Sequence, residues 1–308
     1  MQNKVRLNPE ITVIIPCYNS GFSLLRTLSS LKSQTYRNFE IIIVNDGSND
    51  SITLKILKNI NEPNIQIINQ ENKGLSAARN VGILNSNSDF ILPLDSDDWL
   101  ASNALLEFIQ FLKKNKNYSY VYSNIVNQNQ STGVLKKNYN FFEQLFTNQI
   151  PYCFLVRRDV FTKIGMYDLK MKNGFEDWEL NIRMGKYGHT GYCLNQDLFY
   201  YNVSNEGMLK SISVKNFANI YKYIRNKHKS LYTTNNLLRH YFKNWNNRSS
   251  HVLIFYFVFN IFYYISSSKM FNTTLEFLIK NFSKTSQISK GNKKKLINKK
   301  FKIKKIVH

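Results

Sequence analysis

Three carboxylates fall within four residues in Asp95-Ser96-Asp97-Asp98, directly after the apolar run Phe90 to Leu94. Acids packed this tightly repel one another, a cost that a bound cation offsets. The plain alternative is a solvated acidic turn that caps the next helix, since Ser and Asp are good N-caps. A second acidic pair, Glu176-Asp177, stands in Gly174-Phe175-Glu176-Asp177-Trp178-Glu179-Leu180, which reads as the start of a helix running to about Tyr187. Acids in a first helical turn also complement the backbone dipole. Taken alone, neither cluster separates chemistry from structure.

The elements that must position these residues repeat. Ile11 to Pro16, Phe39 to Val44, Ile65 to Ile68 and Phe90 to Leu94 are short β-branched or apolar runs, each bounded by turn-forming residues. Between them lie helical segments. Phe22, Leu25, Leu28 and Leu31 recur at near-helical spacing, followed by Ser51 to Ile60 and the Ala-containing stretch after Asn72-Lys73-Gly74. Strands alternating with helices predict a parallel sheet with right-handed crossovers. Ligands of such sheets bind beyond the carboxyl ends of the strands. Tyr18/Asn19, Asp46, Asn72/Lys73 and Asp95/Asp97 therefore converge on one edge although they span some eighty residues. Past a helix from about Ala101 to Lys114 the alternation weakens. Tyr118–Val126, Pro151–Arg157, Thr190–Leu194 and Leu198–Val203 are expected as strands, with a short helix over Arg158–Ile164.

No Gly-x-x-x-x-Gly-Lys-Ser/Thr occurs, nor a Gly-x-Gly-x-x-Gly after a strand, which argues against a P-loop NTPase and a dinucleotide dehydrogenase. The edge offers acids with two cations, Lys73 and Arg79. Acids facing a nucleoside diphosphate need a bridging divalent ion, and oxygen-only ligands suit Mg²⁺ or Mn²⁺ rather than zinc. The physical reading is a metal–nucleotide site, with Asp46 placed to accept hydrogen bonds from a base or ribose.

Five motifs stand in order: Val13-Ile14-Ile15-Pro16-Cys17-Tyr18-Asn19, Val44-Asn45-Asp46-Gly47-Ser48, Asn72-Lys73-Gly74 with Ala78-Arg79-Asn80, Asp95-Ser96-Asp97-Asp98 and Glu176-Asp177-Trp178. Together the chain from about residue 10 to 205 resembles the family 2 glycosyltransferases, inverting enzymes of the GT-A fold. The resemblance implies an α/β domain, Rossmann-like, with a mostly parallel sheet and flanking helices. It implies a nucleotide-sugar donor, most often UDP-linked, and a glycan or lipid-linked glycan acceptor. Pro16, Tyr18 and Asp46 would then hold the nucleobase, and Arg79 with Lys73 would contact ribose or phosphates. Asp97 would be the direct metal ligand, with Asp95 closer to ribose and donor sugar. Asp177 would be the catalytic base, and Glu176 would position acceptor or donor. Trp178 has two readings, a wall of the acceptor cleft or a core aromatic. One departure is visible: family members often carry a Tyr-Arg-x-His-like segment after the last strand. Here Tyr200-Tyr201-Asn202-Val203-Ser204 has neither Arg nor His, leaving Asn205, Lys210 or Ser211 as nearby substitutes.

Charge divides the chain. Residues 1–215 carry 23 Lys and Arg against 19 Asp and Glu, whereas residues 216–308 carry 19 against the single acid Glu276. We therefore expect a glycosyltransferase domain over 1–215 and a basic, mainly helical extension over 216–308 that meets something anionic. Its tail, 291–308, interleaves eight Lys with apolar residues. That pattern suits an anionic membrane surface, where each Lys contributes about 1 kcal/mol. Val252–Ile265 is too short for a membrane span and reads as a buried or interfacial helix. Three scattered cysteines and the polar start Met1 to Glu10 fit a cytoplasmic enzyme peripheral to the membrane's inner face. Two rivals are a non-catalytic sugar-nucleotide-binding protein and a nucleic-acid-binding protein using the tail. The latter is disfavoured because the tail holds no recognisable module.

Overall fold

Runs such as Ile-Thr-Val-Ile-Ile-Pro-Cys form strands because β-branched side chains fit a pleated surface, and they bury both faces when helices cover the sheet. The computed structural model describes residues 9–130, 132–204, 216–244, 263 and 270. Its first half is β1 (Ile11–Cys17), α1 (Ser23–Lys32), β2 (Phe39–Asp46), α2 (Ser51–Asn59), β3 (Ile65–Gln70), α3 (Leu75–Asn85) and β4 (Phe90–Pro93). Every residue of β1 is buried. β1 pairs in parallel with β2 and β4, and β2 with β3. Four carboxyl ends thus share one edge, as the alternation predicts.

The second half is mixed: β5 (Trp99–Leu100), α4 (Ala104–Lys114), β6 (Tyr120–Asn129), β7 (Gly133–Leu135), α5 (Phe141–Gln144), β8 (Leu155–Arg157), α6 (Asp159–Ile164), α7 (Glu176–Lys186) and β9 (Gly191–Val203). The strand order is β3-β2-β1-β4-β8-β6-β9-β5, with β7 paired to β6. β8 runs antiparallel to both β4 and β6, while β6 and β9 run parallel. The two short strands expected over 190–203 are one strand of 13 residues. The polar interruption bulges out of β9: the pairing passes from Ser123–Leu194 to Ile125–Phe199, so residues 195–198 stand against the single Asn124 of β6.

α1 faces inward through Leu24, Thr27, Leu28 and Leu31. Phe22 and Leu25, expected on that face, point outward at 70% and 47% exposure. Leu24, Leu28 and Leu31 form an i, i+4, i+7 stripe that meets the sheet, and the hydroxyl of Thr27 donates to the Asp98 carbonyl (2.7 Å). Two glycines set close helix contacts. A Cβ on Gly82 of α3 would lie 2.3 Å from Ile14 Cγ2 of β1, and one on Gly185 of α7 would lie 2.1 Å from the Phe141 ring of α5.

Two further helices, α8 (Phe217–Lys227) and α9 (Thr234–Lys243), flank a 3-10 turn at Lys229–Tyr232. From Ile220 they belong to the same compact unit as the sheet. Tyr221 stacks on Trp178 with ring centroids 5.6 Å apart, and Tyr241 packs edge-on to Phe142. Asn205, Lys210, Ser211, the Lys-rich tail and almost all of Val252–Ile265 lie outside the described residues. Among the described residues no helix is long and apolar enough to cross a membrane.

Candidate active site

A cleft of about 860 Å³ opens at the carboxyl edge of β1, β2 and β4. Residues expected at that edge line it: Pro16, Tyr18, Asn19, Asp46, Asn72, Lys73, Asp95 and Asp97. Asp46 ends β2 and is 4% exposed. Its carboxylate accepts from the backbone N–H groups of Lys73 (2.8 Å) and Gly74 (2.9 Å) and from Gln70 Nε2 (2.6 Å). It therefore ties the loop before α3 to the sheet edge while facing the cleft. Gly47 makes this close approach with φ +74°, since a Cβ there would stand 2.7 Å from Asn72 N. Tyr18, half exposed, lines the same cleft.

The acidic cluster divides into three different environments. Asp98 is fully buried and does not cap a helix; α4 begins at Ala104 behind Asn103. Its carboxyl accepts from Asn202 N (2.7 Å) and from the Tyr152 hydroxyl, fastening the end of β4 to β9. Burial, together with the charges of Asp97 and Asp95, holds Asp98 well above the usual carboxylate range. Asp97 faces the cleft, and burial with the nearby Asp95 charge pushes it up to about 6. Its Oδ2 accepts from Asn202 Nδ2 at 3.3 Å. Asp95 shares its charge with Arg79, whose Nη2 donates to Oδ1 at 2.7 Å.

This donor set fits a hard divalent cation. Asp97 offers carboxylate oxygens short of positive charge, which Mg²⁺ or Mn²⁺ would supply beside Asp95. Among the described residues no group of three or more His, Cys, Asp or Glu is arranged to hold a metal. Diphosphate oxygens and water would have to complete the shell, as is common for Mg²⁺.

Arg79, expected at the ribose or phosphates, is 1% exposed and does not line the cleft. It lies between the rings of Tyr152 and Tyr167, 5.0 and 5.3 Å from their centroids. One terminal nitrogen goes to Asp95 and the other to Glu176 Oε1. A planar guanidinium suits such a two-sided bridge. Through it the cleft edge is joined to the first turn of α7.

That turn is approached by two successive left-handed residues, Gly174 (φ +91°) and Phe175 (φ +58°). A left-handed phenylalanine is uncommon and is held here by its surroundings. Its ring packs edge-on to Trp178 at 5.6 Å. Glu176 is 5% exposed and Asp177 is partly buried, and neither is among the residues that line the cleft. Asp177 Oδ1 accepts from Trp178 N and Oδ2 from Asn148 Nδ2, both at 2.8 Å. Burial and the Glu176 charge push Asp177 up to about 7, against the opposing pull of Asn148 and Arg79. Trp178 resolves to the core: it is 0% exposed, and its indole N–H donates to the Gln144 carbonyl at 2.7 Å.

Four contributors were not singled out in the sequence. Tyr201, Asn202 and Lys172 line the cleft, and Asn148 holds Asp177. Asn202 stands in the segment that lacks the expected Arg and His, so its position was marked even though its identity was not.

A mostly parallel sheet with a cleft at its carboxyl edge and an antiparallel continuation places the molecule in the GT-A class of glycosyltransferase folds. The crystal structure of S. aureus TarS 1–349 in complex with UDP-GlcNAc superposes with a TM-score of 0.62 at 20% identity, covering 77% of this chain and 74% of that one. The family model for glycosyl transferase family 2 matches residues 12–175, and the chain belongs to that family. Among curated relatives, glycosyltransferase GlyA of Streptococcus pneumoniae serotype 4 is 33% identical over 211 residues, which is 63% of this chain and 28% of the relative. UDP-Glc:alpha-D-GlcNAc-diphosphoundecaprenol beta-1,3-glucosyltransferase WfgD of Escherichia coli is 32% identical over 125 residues, 40% of this chain and 49% of the relative. The chain thus matches about half or less of the length of these two relatives.

Proposed function

We propose that this protein is an inverting glycosyltransferase that moves a sugar from a UDP-linked donor to a hydroxyl of a glycan or lipid-linked glycan. The observation that carries the reading is the pairing of two unlike carboxylate sites. At the cleft edge Asp97 is short of positive charge, beside an Asp95 that is paired with Arg79. Outside the cleft lining Asp177 is pushed up to about 7 and is connected to that edge through its neighbour Glu176 and Arg79.

In this mechanism Pro16, Tyr18 and Asp46 hold the nucleobase, Lys73 reaches ribose or phosphate, and Asp95 lies toward ribose and donor sugar. Arg79 acts through the two carboxylates that it bridges, and Glu176 positions acceptor or donor. Asp177 takes the proton of the acceptor hydroxyl as the new bond forms between that oxygen and the anomeric carbon. The bond from that carbon to the diphosphate breaks, and its electron pair leaves with the diphosphate. One such displacement inverts the anomeric centre. A divalent metal held by Asp97 with Asp95 would neutralise charge on the departing diphosphate.

A UDP donor draws support from the TarS complex with UDP-GlcNAc and from the name of WfgD. WfgD's named acceptor, a diphosphoundecaprenol-linked sugar, likewise supports a lipid-linked acceptor, and the eight Lys of residues 291–308 motivate attachment to an anionic membrane surface. The test is a thermal-shift screen of nucleotide sugars with Mn²⁺, followed by measurement of nucleoside diphosphate release. A UDP-sugar is expected to raise the melting temperature, because it binds the folded state alone. Binding without diphosphate release would favour the non-catalytic rival, and no shift with any nucleotide sugar would sink the reading altogether.

A further inference from the structure

Asn148 lies outside every motif of the sequence, in the loop after α5, yet both ends of its side-chain amide and its backbone carbonyl are held. Its Nδ2 donates to Asp177 Oδ2 at 2.8 Å, and its Oδ1 accepts from Gln144 Nε2 at 3.2 Å. Its backbone carbonyl accepts from Lys137 Nζ at 2.8 Å. Gln144 is itself immobilised: it is 0% exposed, and its Oε1 accepts from Gln149 N at 2.7 Å. The Gln144 bond determines which end of the Asn148 amide faces α7, so that end is a donor. The same loop grips α7 at a second point, where the Gln144 carbonyl takes the Trp178 indole N–H.

We propose that Asn148 is a positioning residue for Asp177, whose amide holds one carboxylate oxygen and leaves the remaining lone pairs aimed at the acceptor hydroxyl. This rests on the reading of Asp177 as the base. A carboxylate free to rotate offers the hydroxyl many orientations, and one held by a donor offers few. A donor to the carboxylate also favours its charged form, the form that accepts a proton. The other groups that act on Asp177 are Glu176, Arg79, Lys137, Tyr167 and Tyr201. Arg79 is already shared with Asp95 and Glu176, and the Lys137 amine is spent on the Asn148 carbonyl. A neutral amide is thus the group in direct contact with Oδ2.

The experiment uses the full chain with Mn²⁺ and a panel of UDP-GlcNAc and UDP-glucose, reading UDP release and the carbon-13 carboxyl titration of labelled aspartates. The Asp177 resonance is identified by its loss in Asp177→Asn. In Asn148→Ala the Asp177 midpoint is expected to rise by about one pH unit. kcat at pH 7 is expected to fall about tenfold with donor KM unchanged. Asn148→Ser, which keeps a short donor, is expected to recover part of both. Asn148→Asp places a second acid against Oδ2 and is expected to be worse than alanine. An unchanged midpoint in the alanine variant, or a raised midpoint with unchanged kcat, overturns the proposal; where the alanine variant does not fold, an unchanged midpoint in Asn148→Asp overturns it. An active Asp177→Asn overturns the assignment of the base instead, and the midpoint still judges whether Asn148 controls the carboxylate.

Discussion

Asp177 and Glu179 stand two residues apart on α7, both withdrawn from water, and their carboxyl groups lie at opposite ends of the acid range. Burial and the charge of Glu176 push Asp177 up to about 7. Burial raises Glu179 as well, but hydrogen bonds from His228, Arg183 and Lys227, with the charge of Arg183, hold it down at about 2. Its partners stand at 2.9 Å (His228 Nε2), 2.8 Å (Arg183 Nη2) and 2.9 Å (Lys227 Nζ). Burial therefore does not set the ionisation of a carboxyl here; the supply of cations does. The back of the helix is electrostatically satisfied and ties down the end of α8. The front is left short of charge, at a cost to the fold, in the place where proton transfer is proposed.

The sharpest way to test the contrast is Asp177→Asn. Transfer is expected to fall by at least about 10³-fold, within the range for loss of a general base, while donor affinity measured by calorimetry is unchanged. Near-normal turnover would remove Asp177 as the base. Stability is expected to move the other way. A carboxyl raised in the fold contributes stability below its ordinary value of 3.8, and that contribution is lost as pH rises through about 7. The asparagine variant should therefore melt above wild type at pH 8, and a lower melting temperature would mean that the charge of Asp177 supports the fold.

Glu179→Gln is the mirror experiment. It is expected to cost about 3 kcal/mol at pH 7, the equivalent of holding a carboxyl at about 2 instead of 4.5. Urea unfolding measures this. Wild-type stability should be fully present above pH 4.5 and decline toward pH 2, a slope that the variant flattens. Turnover per folded molecule is expected to stay at the wild-type level, and a selective loss of kcat would show that the two ends of α7 are not independent.

A finer test is the pH–rate profile. With Asp177 at about 7, kcat/KM is expected to be half-maximal near pH 7 on its acidic limb, rising toward higher pH. A limb near pH 4 would place the base in an ordinary environment. The smallest effect is expected from Asn202→Ala, which removes the donor to Asp97 but keeps the backbone bond to Asp98. Mn²⁺ affinity in the presence of UDP should weaken about tenfold by electron paramagnetic resonance titration. Unchanged affinity would reduce Asn202 to a link between β9 and Asp98.

The parallel half of the sheet was readable because its strands are apolar runs closed by turn residues, and parallel order puts their ends together. Asp46, Asp95 and Asp97 follow from that order alone. The partners of these acids were not readable. Arg79 meets Glu176 across 97 residues, Asn202 meets Asp98 across 104, and Asn148 meets Asp177 across 29, distances that leave no periodicity to follow. Arg79 was expected at the substrate because a cation near a nucleotide edge usually serves it; two internal carboxylates claim it first. The basic stretch after residue 216 was read as facing an anionic partner. Part of that partner is internal, since Lys227 and His228 both meet Glu179. Glu179 with Arg183, at i and i+4 on one helix, was the one pair in that cluster with a local pattern.

Gly82 and Gly185 give the charged site its tolerances. Each lies on a helix that carries part of it, α3 with Arg79 and α7 with Glu176 and Asp177, and each lets its helix rest directly on a bulky neighbour. A single methyl group at position 82 would need space already filled by Ile14, a β-branched side chain with little rotational freedom inside a strand. α3 would have to ride outward. An arginine bridge made at 2.7 Å has no slack for such a step, so two absent side chains, neither of them in the cleft, meter the distance between its charges.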